Sequence, residues 1–278
     1  MISPVSADLP AGAVGSLLTA LDVATDDLSA SLARASASEL AEPSLLDGWS
    51  RAHVVAHLAN VAAALVRMTH DALADRTTSM YPDGRAARDA EIRSVAAQPW
   101  EELHAWFVQS TGALTSTWHS VPWERWGRPF ADAEFGSMQF GRLVGMRLTE
   151  VEVHHADLAI GFGPREWSPA LTRTCLPLRV ASLTRLRGRP DADHTVNGSW
   201  ILECDELDRR WSVHAQHGEV RIDEIEPSYR DKATADVVLR GSALDLTAVL
   251  LGRQAPVMLA VSGNAARAAE FKRAFPGP

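Results

Sequence analysis

The chain has 278 residues, 46% hydrophobic and 22% charged, and apolar residues occur in every window, which excludes a chain dominated by disorder. Its 27 basic residues face 35 acidic ones for a formal charge of -8, and the absence of a basic run argues against nucleic acid as a main partner. No run of about 18 apolar residues stands out as a membrane span, no secretory pattern opens the sequence, and Cys175 and Cys204 form neither a metal-ligand pair nor a disulfide framework, so a reduced, cytoplasmic protein without a membrane partner is expected.

Helical periodicity runs through the first 165 residues. Val14, Leu17, Leu18, Leu21, Leu28 and Leu32 recur at three- and four-residue intervals and predict a first helix over 12–36. Turns follow at Glu42-Pro43 and Asp47-Gly48, and Ser50 stands where an N-cap belongs for a second helix from Ala52 to about Ala74. Residues 86–119 predict two further helical pieces parted near Gln98-Pro99. The Pro-, Gly- and Trp-rich stretch 122–136 reads as a long loop, and a last helix is expected from about Ser137 to Gly161. Four long antiparallel helices are the economical arrangement.

The pattern then changes. A linking helix over 168–187 leads into the polar stretch 188–193. Alternating runs at 199–206, 210–216, 219–225, 235–241 and 256–263 predict strands, with His217-Gly218 as a hairpin turn. Helices are expected at 242–252 and 264–274. The whole reads as a helical N-terminal domain and a smaller α+β C-terminal domain, with the boundary between 162 and 196.

Two helical segments carry residues that an amphipathic helix would not choose for packing alone. In GWSRAHVVAHLAN (48–60), His53 and His57 are four apart and share a face. In RLTEVEVHHADL (147–158), Glu150 and His154 share one in the same way. Two imidazoles and one carboxylate, brought together from two helices, would hold a divalent ion and leave positions open. The plainer reading keeps His57 as a hydrogen-bonded core histidine and Glu150 and His154 as a solvated ion pair, with Glu152 and His155 either solvated in the same way or backing the neighbouring residues. Spacing alone does not choose between them.

These residues resemble the mycothiol-dependent maleylpyruvate isomerase family, a branch of the DinB-like four-helix metalloproteins. The matching segments are 48–60, MYPDGRAARDAEI (80–92), 147–158 and GSALDLTAVLLGR (241–253), of which the first and third are the most informative. The resemblance implies an α+β protein, with a DinB-like four-helix bundle over residues 1–165 and a smaller α/β C-terminal domain over 166–278. It implies a divalent metal, zinc by preference, held by His57, Glu150 and His154, with His53 a neighbour of the ligands. It also implies mycothiol as a thiol cosubstrate and a dicarboxylate substrate, maleylpyruvate, isomerised to fumarylpyruvate in aromatic-compound degradation. Arg253 is the expected catalytic arginine; its plainer reading is a charge at a helix end. Asn60 and Arg88 are candidates for lining the pocket, and Asp157 for orienting His154. Cys175 and Cys204 are expected as small buried hydrophobes, and Trp49 as packing at the mouth of the second helix. Two rivals keep the scaffold and change the function: a mycothiol S-transferase or other thiol-dependent enzyme, and a non-catalytic metal-binding module.

Overall fold

The structure is a computed structural model that describes residues 13–134, 136–226, 228–229 and 233–276. It divides into two compact units, the first ending at Ser168 and the second beginning at Pro169.

Four long helices build the first unit: α1 (Ala13–Arg34), α3 (Arg51–Leu73), α5 (Trp100–His119) and α6 (Arg142–Asp157). Two short ones, α2 (Ala37–Ala41) and α4 (Gly84–Ala96), lie between them in sequence. Helix α1 buries Val14, Leu17, Leu21, Ala24, Leu28 and Leu32, the three-four spacing of its apolar stripe, and packs against α6. Helix α3 packs against both α5 and α6 and is buried from Val54 through Leu58 without a break. Its start is fixed as the sequence predicts. Ser50 Oγ accepts from the His53 amide, and His53 Nδ1 accepts from the Ser50 amide at 3.3 Å, a reciprocal cap. By length and composition α3 would also pass for a membrane span, which the sequence reading did not anticipate, but 61% of its apolar window is buried in this bundle.

Two expectations fail between α5 and α6. The stretch 122–136 is not all loop: β1 (Pro129–Asp132) pairs antiparallel with β2 (Gly136–Gln139). This hairpin buries Phe130 and Met138, and Phe140 beyond it stacks on Trp126 at 4.8 Å. Strands of four residues give too little alternation to stand out against the Pro and Gly around them. Helix α6 therefore starts at Arg142 rather than Ser137. It also ends at Asp157, four residues before Gly161, because Ala159 turns left-handed (φ 52°) and the Arg51 guanidinium takes the carbonyls of Leu158 and Ala159.

In the second unit the expected linking helix is two pieces, α7 (Pro169–Ala181) and α8 (Leu183–Arg187), with Pro177 inside the first. Five strands follow: β3 (Gly198–Cys204), β4 (Arg209–Gln216), β5 (Glu219–Glu224), β6 (Val237–Gly241) and β7 (Ala260–Gly263). They form a mixed sheet of order β5-β4-β3-β6-β7 in which only β3 and β6 run parallel. The His217-Gly218 turn joins β4 to β5 with both residues at positive φ (49° and 86°), the geometry that suits a tight hairpin. Strand β7 is shorter than the expected 256–263, because Pro256 opens a tight helical turn through Met258. Helices α9 (Ala243–Leu250) and α10 (Ala265–Ala274) complete a core around Trp200, Trp211, Phe271 and Phe275, and both cysteines are buried.

Candidate metal centre

Helices α3 and α6 bring the two sequence-singled segments together. His57 Nε2 lies 2.8 Å from Glu150 Oε2, and His154 Nε2 lies 3.3 Å from the same oxygen. The imidazole rings stand edge to face at 4.9 Å, and one donor atom from each of the three residues falls within 4.8 Å of the others. His57 is buried, while the Glu150 side chain stays 34% exposed. Two nitrogens and one oxygen on converging helices suit a divalent ion of the zinc type and leave positions open.

The surroundings set the charge of each donor. Burial pushes the His57 imidazole below its ordinary value, against the pull of Glu150. Burial alone would raise the Glu150 carboxyl, but hydrogen bonds from His154 and His57 override it and hold the group well below the usual carboxylate range. Burial also works against a charged His154, yet its bonds to Asp157 and Glu150 win and push it up to about 9. Asp157, fully buried, accepts from His154 Nδ1 at 2.8 Å and so turns Nε2 toward Glu150.

A cavity of about 320 Å³ opens beside His57. Asn60 and Arg88 line it, together with Tyr81 and Trp106. The Trp106 indole donates to Asn60 Oδ1 at 2.9 Å, which fixes the amide's orientation. Arg88 Nη2 donates to His57 Nδ1 at 3.2 Å, and its guanidinium lies over the faces of Trp49 (5.6 Å) and Tyr81 (5.4 Å). Trp49 does sit at the mouth of α3, and its ring also stands edge-on to His57 at 5.6 Å. His53 serves the helix cap and stands 6.3 Å from Trp49.

Other placements differ from the sequence reading or escaped it. Glu152 and His155 are not solvated; they are buried, with 2% exposure each. Glu152 accepts from the Ser168 amide and hydroxyl, both at 2.6 Å. His155 stacks on Phe162 at 4.0 Å and bonds Ser31. Tyr81, in the loop before α4, and Trp106, on α5, were not singled out, because no spacing rule connects an aromatic on one element to a helix face distant in sequence. Arg147 was also missed, although it stands one turn before Glu150. It is buried, donates to the Leu58 carbonyl at 2.8 Å, and burial pushes it down to about 10 against the charge of Glu150. Arg253 belongs to the second unit, after α9; its amide caps the Ala248 carbonyl and its guanidinium reaches the Leu251 carbonyl.

The family profile described as "Mycothiol maleylpyruvate isomerase N-terminal domain" matches residues 21–159, which hold all three candidate ligands. Two solved structures share the fold. One is described as the crystal structure of the mycothiol-dependent maleylpyruvate isomerase, the other as a histidine-to-alanine mutant of it. Each has a TM-score of 0.70 and 22% identity, covering 91% of this chain and 93% of the other. No curated protein matches.

Proposed function

The chain belongs to the mycothiol maleylpyruvate isomerase family, and from that premise we propose that it is a metal- and mycothiol-dependent cis-trans isomerase acting on maleylpyruvate. The observation that carries the reading is the convergence of His57, Glu150 and His154 beside an open cavity. A purely structural zinc site closes all four positions with protein ligands, whereas three ligands beside a cavity suit a reaction site. This favours an enzyme over a non-catalytic metal-binding module.

His57, Glu150 and His154 would hold the ion. When bound, it supplies a positive charge that lowers a thiol's pKa or stabilises negative charge on a substrate oxygen. Rotation about a carbon–carbon double bond needs that bond to become single. An external thiolate adds to one alkene carbon, and the π pair moves onto the conjugated carbonyl oxygen. The bond rotates, the pair returns, and the thiolate leaves with the trans alkene in place. The chain's own cysteines do not fit this role: both are buried, and burial pushes the Cys204 thiol up, away from the reactive thiolate. Asn60 and Arg88 are proposed to contact substrate or thiol in the cavity. Arg253 is proposed, on the family resemblance, as a guanidinium for a substrate carboxylate.

Turnover of maleylpyruvate with and without added mycothiol tests the reading. Activity should require the thiol and survive Cys175→Ala/Cys204→Ala. Thiol-independent activity lost in the double variant would overturn it. In the same assay Arg253→Lys, which keeps the charge and loses the fork, should lower kcat/KM by about tenfold. Conjugation of mycothiol to an electrophile without isomerisation would mark an S-transferase instead.

A further inference from the structure

The two candidate histidine ligands differ at their outer nitrogens. His154 Nδ1 faces Asp157 Oδ2, a carboxylate that accepts its proton. That is the usual backing for a metal-bound imidazole. His57 Nδ1 faces Arg88 Nη2 at 3.2 Å. A guanidinium only donates, so Nδ1 must be the accepting nitrogen and the ring proton sits on Nε2, directed at Glu150. A neutral imidazole has one lone pair in the ring plane. An ion taken by Nε2 uses that pair and leaves the proton on Nδ1, where it meets the N–H of Arg88. The Arg88–His57 hydrogen bond and metal binding through Nε2 therefore exclude one another.

Arg88 has somewhere else to go. It lines the 320 Å³ cavity. Its Nε has no partner among the described residues, and Nη1 is held by Asp89, whose side chain is 47% exposed. Trp49 and Tyr81 attract the guanidinium through their ring faces at 5.6 and 5.4 Å, an attraction that fixes no hydrogen-bond direction.

We propose that the cavity binds a carboxylate anion through Arg88, and that this binding and metal loading of His57 reinforce one another. The carboxylate draws the guanidinium off Nδ1, which releases His57 for the ion; the ion, by placing a proton on Nδ1, releases Arg88 for the carboxylate. Such linkage is reciprocal by thermodynamic necessity. The inference rests on His57 being a metal ligand, as proposed above, and adds the ligand class of the cavity and its coupling to the ion.

Zinc affinity of the full chain, read by competition with a chromophoric chelator, tests it in wild type, Arg88→Met and Arg88→Leu, with and without benzoate as the carboxylate probe. Without benzoate, Arg88→Met should bind zinc at least about fivefold more tightly than wild type, because a competing donor is gone. Saturating benzoate should tighten zinc binding by wild type at least about fivefold and leave both variants unchanged. Arg88→Leu, which likewise has no donor, carries the same comparison where the Met variant does not fold. Zinc affinity in a folded variant equal to or weaker than wild type would overturn the proposal. So would an equal benzoate response in wild type and variant, which would mean that benzoate coordinates the ion directly. Full zinc content in His57→Ala would instead overturn the ligand assignment, so the two failures are distinguishable.

Discussion

Helix α6 presents two polar faces built from the same residue types, and they differ in nearly every physical respect. Each residue turns the helix by about 100°, which groups Glu150, His154 and Asp157 on one side and sets Glu152 and His155 roughly opposite. On the first side His154 lies between two carboxylates and is pushed up to about 9. One residue later His155 stacks on Phe162, and burial pushes it down to about 4. Glu150 is held well below the carboxylate range, whereas burial raises Glu152 despite its bonds to Ser168. The comparison teaches that neither residue type nor burial makes a site. Convergence of unlike donors from two helices makes a candidate, and among the described residues only the side facing His57 has it.

The largest expected effect breaks the comparison by removing one side. Glu150→Gln or His57→Ala should abolish stoichiometric binding of zinc, measured by elemental analysis. His155→Gln should leave one ion per chain. Full metal in the first two variants, or its loss in the third, would move the site off the side assigned to it.

Acidity sharpens the same contrast, because the two neighbouring histidines tilt stability in opposite directions. His155 has a folded value near 4 against about 6.5 unfolded, so its contribution is whole above 6.5 and is lost as pH falls through 4. His154 in the metal-free chain has a folded value near 9, so its contribution is whole below about 6.5 and is lost as pH rises through 9. Each is worth about 3 kcal/mol at most. Urea unfolding of metal-free protein from pH 4 to 9 should therefore peak near 6.5. His155→Gln should flatten the acid limb and His154→Gln the alkaline limb; unchanged limbs would contradict the environments described.

The sequence made one side of this helix more readable than the other. Four-residue spacing joined Glu150 to His154, Ser50 marked where α3 begins, and the family resemblance singled out His57 as their partner. The opposite side was left open between wet and backing roles because Glu152 and His155 are ionisable, yet α6 is buried around most of its circumference. A helix packed on several sides loses the polar face that periodicity relies on. The contact of Arg88 with Trp49, Tyr81 and His57 was illegible for another reason. It joins a loop, two helices and a helix mouth, and no local pattern encodes which loop returns to which face.

The smallest expected effect compares the two carboxylates directly. Glu152 does its work inside the first unit: its oxygens take the amide and hydroxyl of Ser168, and its backbone carbonyl accepts the Trp167 indole at 3.1 Å. Glu152→Gln keeps the shape and one accepting oxygen but turns a charged acceptor into a neutral one and adds an amide donor. That should cost about 1 kcal/mol of stability, since hydrogen bonds to charged groups are worth somewhat more than neutral ones. Metal content should stay at the wild-type level, in contrast to Glu150→Gln. Amide hydrogen exchange should speed up at Ser168 more than along α3, because the lost bond holds the end of the unit rather than its core. If Glu152→Gln instead lowers metal content, the two sides of α6 are coupled through the helix, and the separation drawn between them fails.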